Sequence, residues 1–263
     1  KLPDGPVAIQ FSGGRTSGYM LKKILDRYDG VLPDNCHVLF QNTGREMPET
    51  LDFVHECQTQ WNVPIIWLER GDNGEPVEVS HNSASRNGEP FESLIKKKKY
   101  VPNGIARFCT SDLKVIPSKK WMQSQGYEKW FAAIGFRADE PSRAERKSQD
   151  KMWENFYPLF LARVAQEDVQ SWWIDQSFNL TIKSTFSNCD GCMLKSEKTR
   201  AHLARYYPDR AKWWDDMEKY IGGTFHKSRS WDSLISHAQR QEDWVFNEEN
   251  DTYCDTGFGG CHD

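Results

Sequence analysis

The sequence predicts an α/β fold: a doubly wound, mainly parallel five-stranded sheet followed by a helical, cysteine-bearing C-terminal extension. Two patterns predict it. Over the first 70 residues, short apolar runs alternate with stretches of helical period, as the strands and crossover helices of a parallel sheet do. The apolar runs also end in polar, glycine-bearing segments, which in such a sheet lie at the carboxyl edge where ligands bind.

Val7-Ala8-Ile9-Gln10-Phe11 is an apolar run that stops at Ser12-Gly13-Gly14, as a buried strand feeding a tight turn does. Residues 16–28 then place Met20, Leu21, Ile24, Leu25 and Tyr28 on one helical face. His37-Val38-Leu39-Phe40 is a second strand, ended by Asn42-Thr43-Gly44, and residues 48–61 read as a helix with proline in its first turn. Residues 64–68 form a third strand. Residues 71–106, rich in Gly, Asn, Ser and charge, break the rhythm and read as an insertion or lid. Residues 111–125 follow as a helix despite Pro117, residues 130–134 as a fourth strand and 156–160 as a fifth. Helical character returns at 166–176 and 197–220. The expected division is an α/β domain over 1–185 and a helical extension over 186–263, with no internal repeats.

The 263 residues carry 34 Lys+Arg against 38 Asp+Glu, a formal charge of −4, and are 38% hydrophobic and 27% charged. That is the composition of a soluble globular protein, and the acidic balance argues against a generally basic nucleic-acid coat. No run approaches the roughly 18–20 apolar residues of a membrane span, and residues 1–6 show no signal-peptide core. A cytoplasmic protein is expected. Eleven tryptophans are read chiefly as core and surface packing, with Trp172-Trp173 and Trp213-Trp214 as a candidate homodimer face. Seven cysteines, an odd number without a secretory signal, favour metal-binding or catalytic thiols in a reducing compartment over a disulfide scaffold.

Three polar segments sit at adjacent strand ends. Ser12-Gly13-Gly14-Arg15-Thr16-Ser17-Gly18 joins the first strand to the first helix, so its glycines admit an anion to the backbone and the helix N-terminus faces it. It matches neither the Walker A nor the GxGxxG pattern, and a capped glycine turn is the plainer reading. Asn42-Thr43-Gly44-Arg45-Glu46-Met47-Pro48-Glu49-Thr50 follows the second strand. Gly135-Phe136-Arg137-Ala138-Asp139-Glu140-Pro141-Ser142-Arg143 follows the fourth, with Arg146 beyond, and arginines suit phosphate or sulfate oxygens.

Together these segments resemble the phosphoadenosine phosphosulfate (PAPS) reductase family, of the adenine nucleotide α-hydrolase-like fold. Phe11 to Ser17 is similar to its SGG-x-D-S loop, Asn42 to Thr50 to its TG-x-x-x-PET block, and Arg137 to Arg143 to its R-x-x-E-x-x-R block. Cys109-Thr110-Ser111-Asp112-Leu113-Lys114-Val115-Ile116-Pro117 is similar to its C-x-x-x-x-K-x-x-P block, and Tyr157-Pro158-Leu159 with Asp168-Val169 to its last strand and following helix. The resemblance spans about residues 7–195 in the family's order. It implies an adenine nucleotide (PAPS, APS or ATP) held by Ser12, Gly13, Gly14, Arg15, Thr16, Ser17, Asn42, Thr43, Gly44, Lys114 and Glu140. Arg137 and Arg143 would then hold its sulfate or pyrophosphate end. Thr16 stands where ATP-pyrophosphatase relatives carry Asp, which removes a carboxylate that could help hold Mg²⁺.

Cys189-Asp190-Gly191-Cys192 is a CxxC, whose paired thiolates suit one metal ion or one cluster. Iron–sulfur members of the family carry a Cys–Cys pair upstream of such a CxxC; here Cys109 supplies one of the two. The resemblance thus implies a [4Fe-4S] cluster on Cys109, Cys189, Cys192 and Cys261, with structural zinc on the same thiolates, or a redox pair at the CxxC, as the alternatives. Cys36 and Cys57 sit in apolar periodic surroundings and read as core. Gly259-Gly260-Cys261-His262 resembles the family's C-terminal E-C-G-x-H motif, whose Cys attacks the sulfate sulfur, but it lacks the Glu and has a shorter Cys–His spacing. If Cys261 is a ligand, Cys254 is the remaining candidate nucleophile.

The favoured expectation is a sulfonucleotide reductase-like enzyme whose thiosulfonate is resolved by a thioredoxin-like dithiol. One alternative is an ATP-dependent sulfurtransferase acting on tRNA or DNA, with Lys96-Lys97-Lys98-Lys99 meeting nucleic acid. The other is a non-catalytic nucleotide-binding protein with structural zinc. His81, His202, His226 and His237 show no ligand spacing and read as surface or packing residues.

Overall fold

In the computed structural model the described residues are 1–145 and 150–240. β1 (Val7–Gln10), α1 (Arg15–Arg27), β2 (Cys36–Gln41), α2 (Pro48–Gln60) and β3 (Ile65–Arg70) follow one another as three parallel strands and two crossovers. All four residues of β1 are buried, because β2 flanks it on one side and β5 (Trp130–Ala133) on the other. β6 (Trp153–Phe156) pairs parallel with β5. α1 covers the sheet with Met20, Leu21, Ile24 and Leu25, the face its periodicity predicted.

A sixth strand, β4 (Pro76–Val79), comes from the stretch read as an insertion and lies antiparallel on β3. The sheet order is β4-β3-β2-β1-β5-β6. The chain therefore winds outward from β1 through β3, then returns to β1's other side. The carboxyl ends of β1 and β5 flank the switch point, the crevice where open α/β sheets bind ligands.

Several local expectations shift for identifiable reasons. The insertion also holds α3 (Glu89–Lys98). The expected helix over 111–125 is composite: a turn of α4 (Phe108–Thr110), a π-helical turn (Ser111–Val115) and α5 (Ile116–Ser124). Pro117, at the start of α5, has no N–H for the regular i→i−4 bond, and the wider turn lies directly before it. The last strand ends at Phe156, since Pro158 opens α7 (Pro158–Leu161). The helix expected over 197–220 is two, α9 (Glu197–Tyr206) and α10 (Pro208–Ile221), divided where Tyr207 precedes Pro208. α6 (Pro141–Ala144), α8 (Gln166–Ile174) and α11 (Trp231–Arg240) complete the described helices.

Several tryptophans pack the interior. Trp173, Trp214 and Trp231 are each 1% exposed, and Trp214 and Phe225 of the extension join the buried cluster that holds Phe40 and Leu51. No helix among the described residues is long and apolar enough to cross a membrane.

Candidate functional site

The loop after β1 turns at Gly13, whose φ is +79° and where a methyl group would stand 2.7 Å from Thr50 Cγ2. Only glycine lets the chain pass this close to α2. Gly14 caps α1 with no side-chain hydrogen bond, and the first helical turn contains no acid. The first bond from an α1 N–H runs from Gly18 to the Gly14 carbonyl (3.0 Å), so the N–H groups ahead of it belong to the helix's positive, open end. Ser17 Oγ donates to the Gly14 carbonyl (2.9 Å), accepts from the Ser12 N–H (3.2 Å) and lies 3.0 Å from Ser12 Oγ. The hydroxyls thus hold the loop in the shape of an anion cradle.

Across the switch point the β5 loop closes in: a methyl group on Gly135 would lie 3.6 Å from Ser17 Cα. Arg137, 6% exposed, donates from Nη1 to Thr16 Oγ1 (3.2 Å) and from Nε to Asp139 (3.0 Å). Thr16, the departure from the family's Asp, therefore receives a guanidinium. Glu140 accepts the Arg137 N–H (3.2 Å) and pairs with Arg143, whose guanidinium stacks 4.2 Å above the Phe136 ring. Arg137 reaches the cradle, while Glu140 and Arg143 brace its loop.

The β2 loop is built differently from expectation. Asn42 donates to Glu69 (2.6 Å) and the Ser85 carbonyl (2.8 Å) and accepts the Gly44 N–H (3.1 Å). Gly44 has φ +79°, and a methyl group there would meet Gly88 Cα at 2.9 Å. Both shape the loop. Thr43 bonds Glu46 through its N–H (2.8 Å), and its hydroxyl lies 3.0 Å from Cys189 Sγ. The same loop bridges to the CxxC at Glu46 and Cys189, and Arg45 pairs with Asp190 at 2.7 Å. Arg15 is also a scaffold residue: its side chain ties α1 to Asn179, Leu180 and Ile182.

Cys189 and Cys192 share one turn, the Cys192 N–H lying 3.4 Å from the Cys189 carbonyl, and Cys109 is within electrostatic reach of Cys192. Burial pushes the Cys109 thiol up to about 12, with Cys192 adding to the rise and Lys114 opposing it. Burial also holds Cys189 well above the ordinary thiol range; Glu46 and Cys192 add to this, while Lys114 and the Thr43 hydroxyl oppose it. Lys114, expected at the nucleotide, lies within electrostatic reach of both thiols. Arg200 is 2% exposed with no hydrogen-bond partner for Nε, and Cys192 is among the groups that raise its pKa against burial. Among the described residues no three Cys, His, Asp or Glu side chains stand in ion-holding geometry. As a residue type, cysteine is a soft donor of the kind that holds iron–sulfur clusters or zinc. Cys254, Cys261 and Arg146 lie outside the described residues.

Sequence reasoning missed four contributors. Thr50 Oγ1 and Glu49 Oε2, in the turn of α2 beside the cradle, are buried without partners, as is the whole Asn188 amide. Asn188 has φ +61°, which only the structure reveals. Arg200 read as one more charge on a helix. Of the basic run, Lys96 pairs with Glu92 and Lys98 with Asp112, so it is partly neutralised.

Comparison with known families decides the lineage. The Phosphoadenosine phosphosulfate reductase domain matches residues 6–182. The chain belongs to this family. Among relatives of this PAPS reductase-domain protein, an uncharacterized nin region protein of Escherichia phage lambda, ORF290, is 33% identical over 198 residues, 72% of this chain and 66% of the phage protein. Two uncharacterized Methanocaldococcus jannaschii proteins are 23% and 27% identical, covering 82% and 59% of this chain. The matches span only 48% and 29% of those archaeal proteins. A solved structure, the U34-tRNA thiolase NcsA from Methanococcus maripaludis with its [4Fe-4S] cluster, aligns with 99% of this chain and 81% of its own at 14% identity and a TM-score of 0.43.

Proposed function

We propose that this PAPS reductase-domain protein is a sulfonucleotide reductase: it binds PAPS or APS across the switch point and reduces its sulfonate to sulfite. The observation that carries the reading is the meeting of α1's open N-terminus with the Arg137 guanidinium through Thr16, in a loop with no carboxylate between Ser12 and Ser17. Backbone N–H groups and a planar cation suit phosphate and sulfate oxygens directly.

In this reading the cradle binds the phosphates and Arg137 neutralises the charge that gathers on the leaving phosphate oxygen. A thiolate, expected from Cys254 or Cys261, attacks sulfur; the S–O bond breaks and the nucleotide leaves with the electron pair. A thioredoxin-like dithiol in a reducing compartment then attacks the cysteine sulfur, releasing sulfite and ending as a disulfide. Cys109, Cys189 and Cys192 would hold an iron–sulfur or zinc centre, which when bound supplies fixed charge near the anionic substrate.

The test is incubation of the anaerobically purified chain with PAPS, APS or ATP and a dithiol, reading sulfite and nucleotide products. Sulfite matched one to one by desulfonated nucleotide supports the reading. ATP cleavage without sulfite moves the protein to the sulfurtransferase reading, and binding without turnover moves it to the non-catalytic one.

A further inference from the structure

A hollow of about 300 Å³ opens beside α1, lined by residues 19–28 of its later turns and not by the cradle at residues 12–17. Met20, Lys23, Ile24 and Arg27, spaced i, i+3, i+4 and i+7, present one face of the helix to it. Met20 and Ile24 are buried and form the floor with Leu159, while Lys23 and Arg27 are exposed and stand at the mouth. The Lys23 ammonium lies over the Tyr19 and Trp172 rings, 5.2 and 5.5 Å from their centres. The walls are fastened to the fold. Leu2 donates its N–H to Tyr28 Oη (3.2 Å), and the Val164 carbonyl accepts the Ala138 N–H (2.8 Å).

Protein interiors are close-packed, and a preformed, mainly apolar hollow of this size has the character of a small-molecule pocket. Its charge has one sign. Lys1, Lys23 and Arg27 line it, and among the described residues no Asp or Glu does. Asp168, which reaches Tyr19 electrostatically, is committed to the Ala165 N–H (2.7 Å) at the start of α8. An occupant that suits both floor and mouth has an apolar body and an anionic head. Two cations one helical turn apart match the two oxygens of a carboxylate. Leu2, Met20, Ile24, Leu159, Ala162 and Val164 make the lining chiefly aliphatic, which favours a chain as the body.

We propose that this pocket binds a free medium-chain carboxylate, its chain lying on Met20, Ile24 and Leu159 and its head between Lys23 and Arg27. The space equals about ten water volumes, which sets the size of the ligand at about ten heavy atoms, an eight-carbon acid. The site is separate from the sulfonucleotide site and stands whatever reaction the cradle serves. Its signature is a double selectivity: the ligand needs the chain and the negative head together.

The experiment is calorimetric titration of the full chain at neutral pH with octanoate, octanol, octylammonium and acetate. Octanoate is expected to bind saturably with one site per chain, about tenfold or more tighter than octanol or octylammonium, and acetate not to saturate. The double variant Lys23→Gln/Arg27→Gln should weaken octanoate about tenfold and leave octanol unchanged. Ala162→Trp, at an exposed residue of the lining, should block the pocket and abolish octanoate binding. No saturable octanoate binding by the full chain overturns the proposal, whatever else covers the pocket. Octanol binding as tightly as octanoate overturns the anionic head, and octanoate binding untouched by Ala162→Trp overturns the location. Should Ala162→Trp melt lower than wild type, the charge variant decides, since both of its substitutions are on exposed side chains.

Discussion

Arg45 and Asp190, 145 residues apart, form an ion pair of 2.7 Å with side chains 3% and 0% exposed, and it locks the CxxC onto the loop that follows β2. The Asp190 carboxylate also accepts from Arg210, Trp214 Nε1 (2.8 Å) and the Gly191 N–H (2.7 Å). Arg45 in turn lies 4.7 Å from the Trp213 ring centre. Asp190, one of the two residues between the cysteines, is therefore the hub that ties the CxxC to the loop after β2.

Removing that hub should be severe. Asp190→Ala leaves the buried Arg45 guanidinium and the partly exposed Arg210 guanidinium without their anion, a loss of about 3–5 kcal/mol by analogy with broken buried pairs. Urea unfolding of Asp190→Ala, Arg45→Met and the double variant checks this. The double variant should be far less destabilised than the sum of the singles, and strict additivity would show that the pair does not act as a unit.

Gly191 has a simpler constraint. A methyl group there would stand 2.3 Å from Trp214 Nε1, inside the indole. Gly191→Ala is expected to cost about 1–3 kcal/mol through displaced Trp214. Pairing it with Trp214→Phe, which vacates that space, should recover part of the loss in a thermal melt.

How much of this was legible in the sequence follows from which forces are local. β1, β2, β3 and β5 are buried strands made of apolar runs, so their residue types announce them. β4 is half exposed and gains its structure from edge pairing with β3, which Pro76-Val77-Glu78-Val79 does not advertise. The cradle was legible because glycine, serine and a helix start are consecutive. The roles of Thr43, Arg45 and Asp190 were not, since they depend on a contact between segments about 145 residues apart. Arg15 and Asn42 were assigned to the nucleotide for their place in a motif; the hydrogen bonds of their side chains to Asn179 and Glu69 were not legible there, since they join distant segments.

Arg137 and Thr16 should separate binding from folding. Arg137→Lys keeps the charge near Asp139 and Glu140 but loses the planar fork, and should weaken sulfonucleotide binding by about one to two decades, the worth of one or two charge-assisted bonds. Thr16→Val removes the acceptor for Nη1 while keeping the guanidinium, and should have a smaller effect. Fluorescence titration with PAPS against both variants gives the comparison, and equal losses would contradict the geometry.

The thiols give a pH dependence with a definite sign. Burial raises Cys109 to about 12 and Cys189 well above its ordinary value, so the metal-free protein keeps both protonated at neutral pH. Metal binding must expel those protons, so affinity should climb as pH rises from 6 to 8, by up to about tenfold per unit for each proton released. Competition against a pH-calibrated chelator measures it. The same protonation predicts slow alkylation of both thiols by iodoacetamide until the chain is unfolded.

The most direct test of the central claim, a sulfonucleotide bound across the β1–β5 switch point, is calorimetric titration of the wild-type chain with PAPS, APS and ATP, repeated on Arg137→Lys. The account predicts saturable binding of PAPS or APS in preference to ATP, weakened by Arg137→Lys. ATP preferred over both sulfonucleotides, or binding indifferent to Arg137, would contradict it.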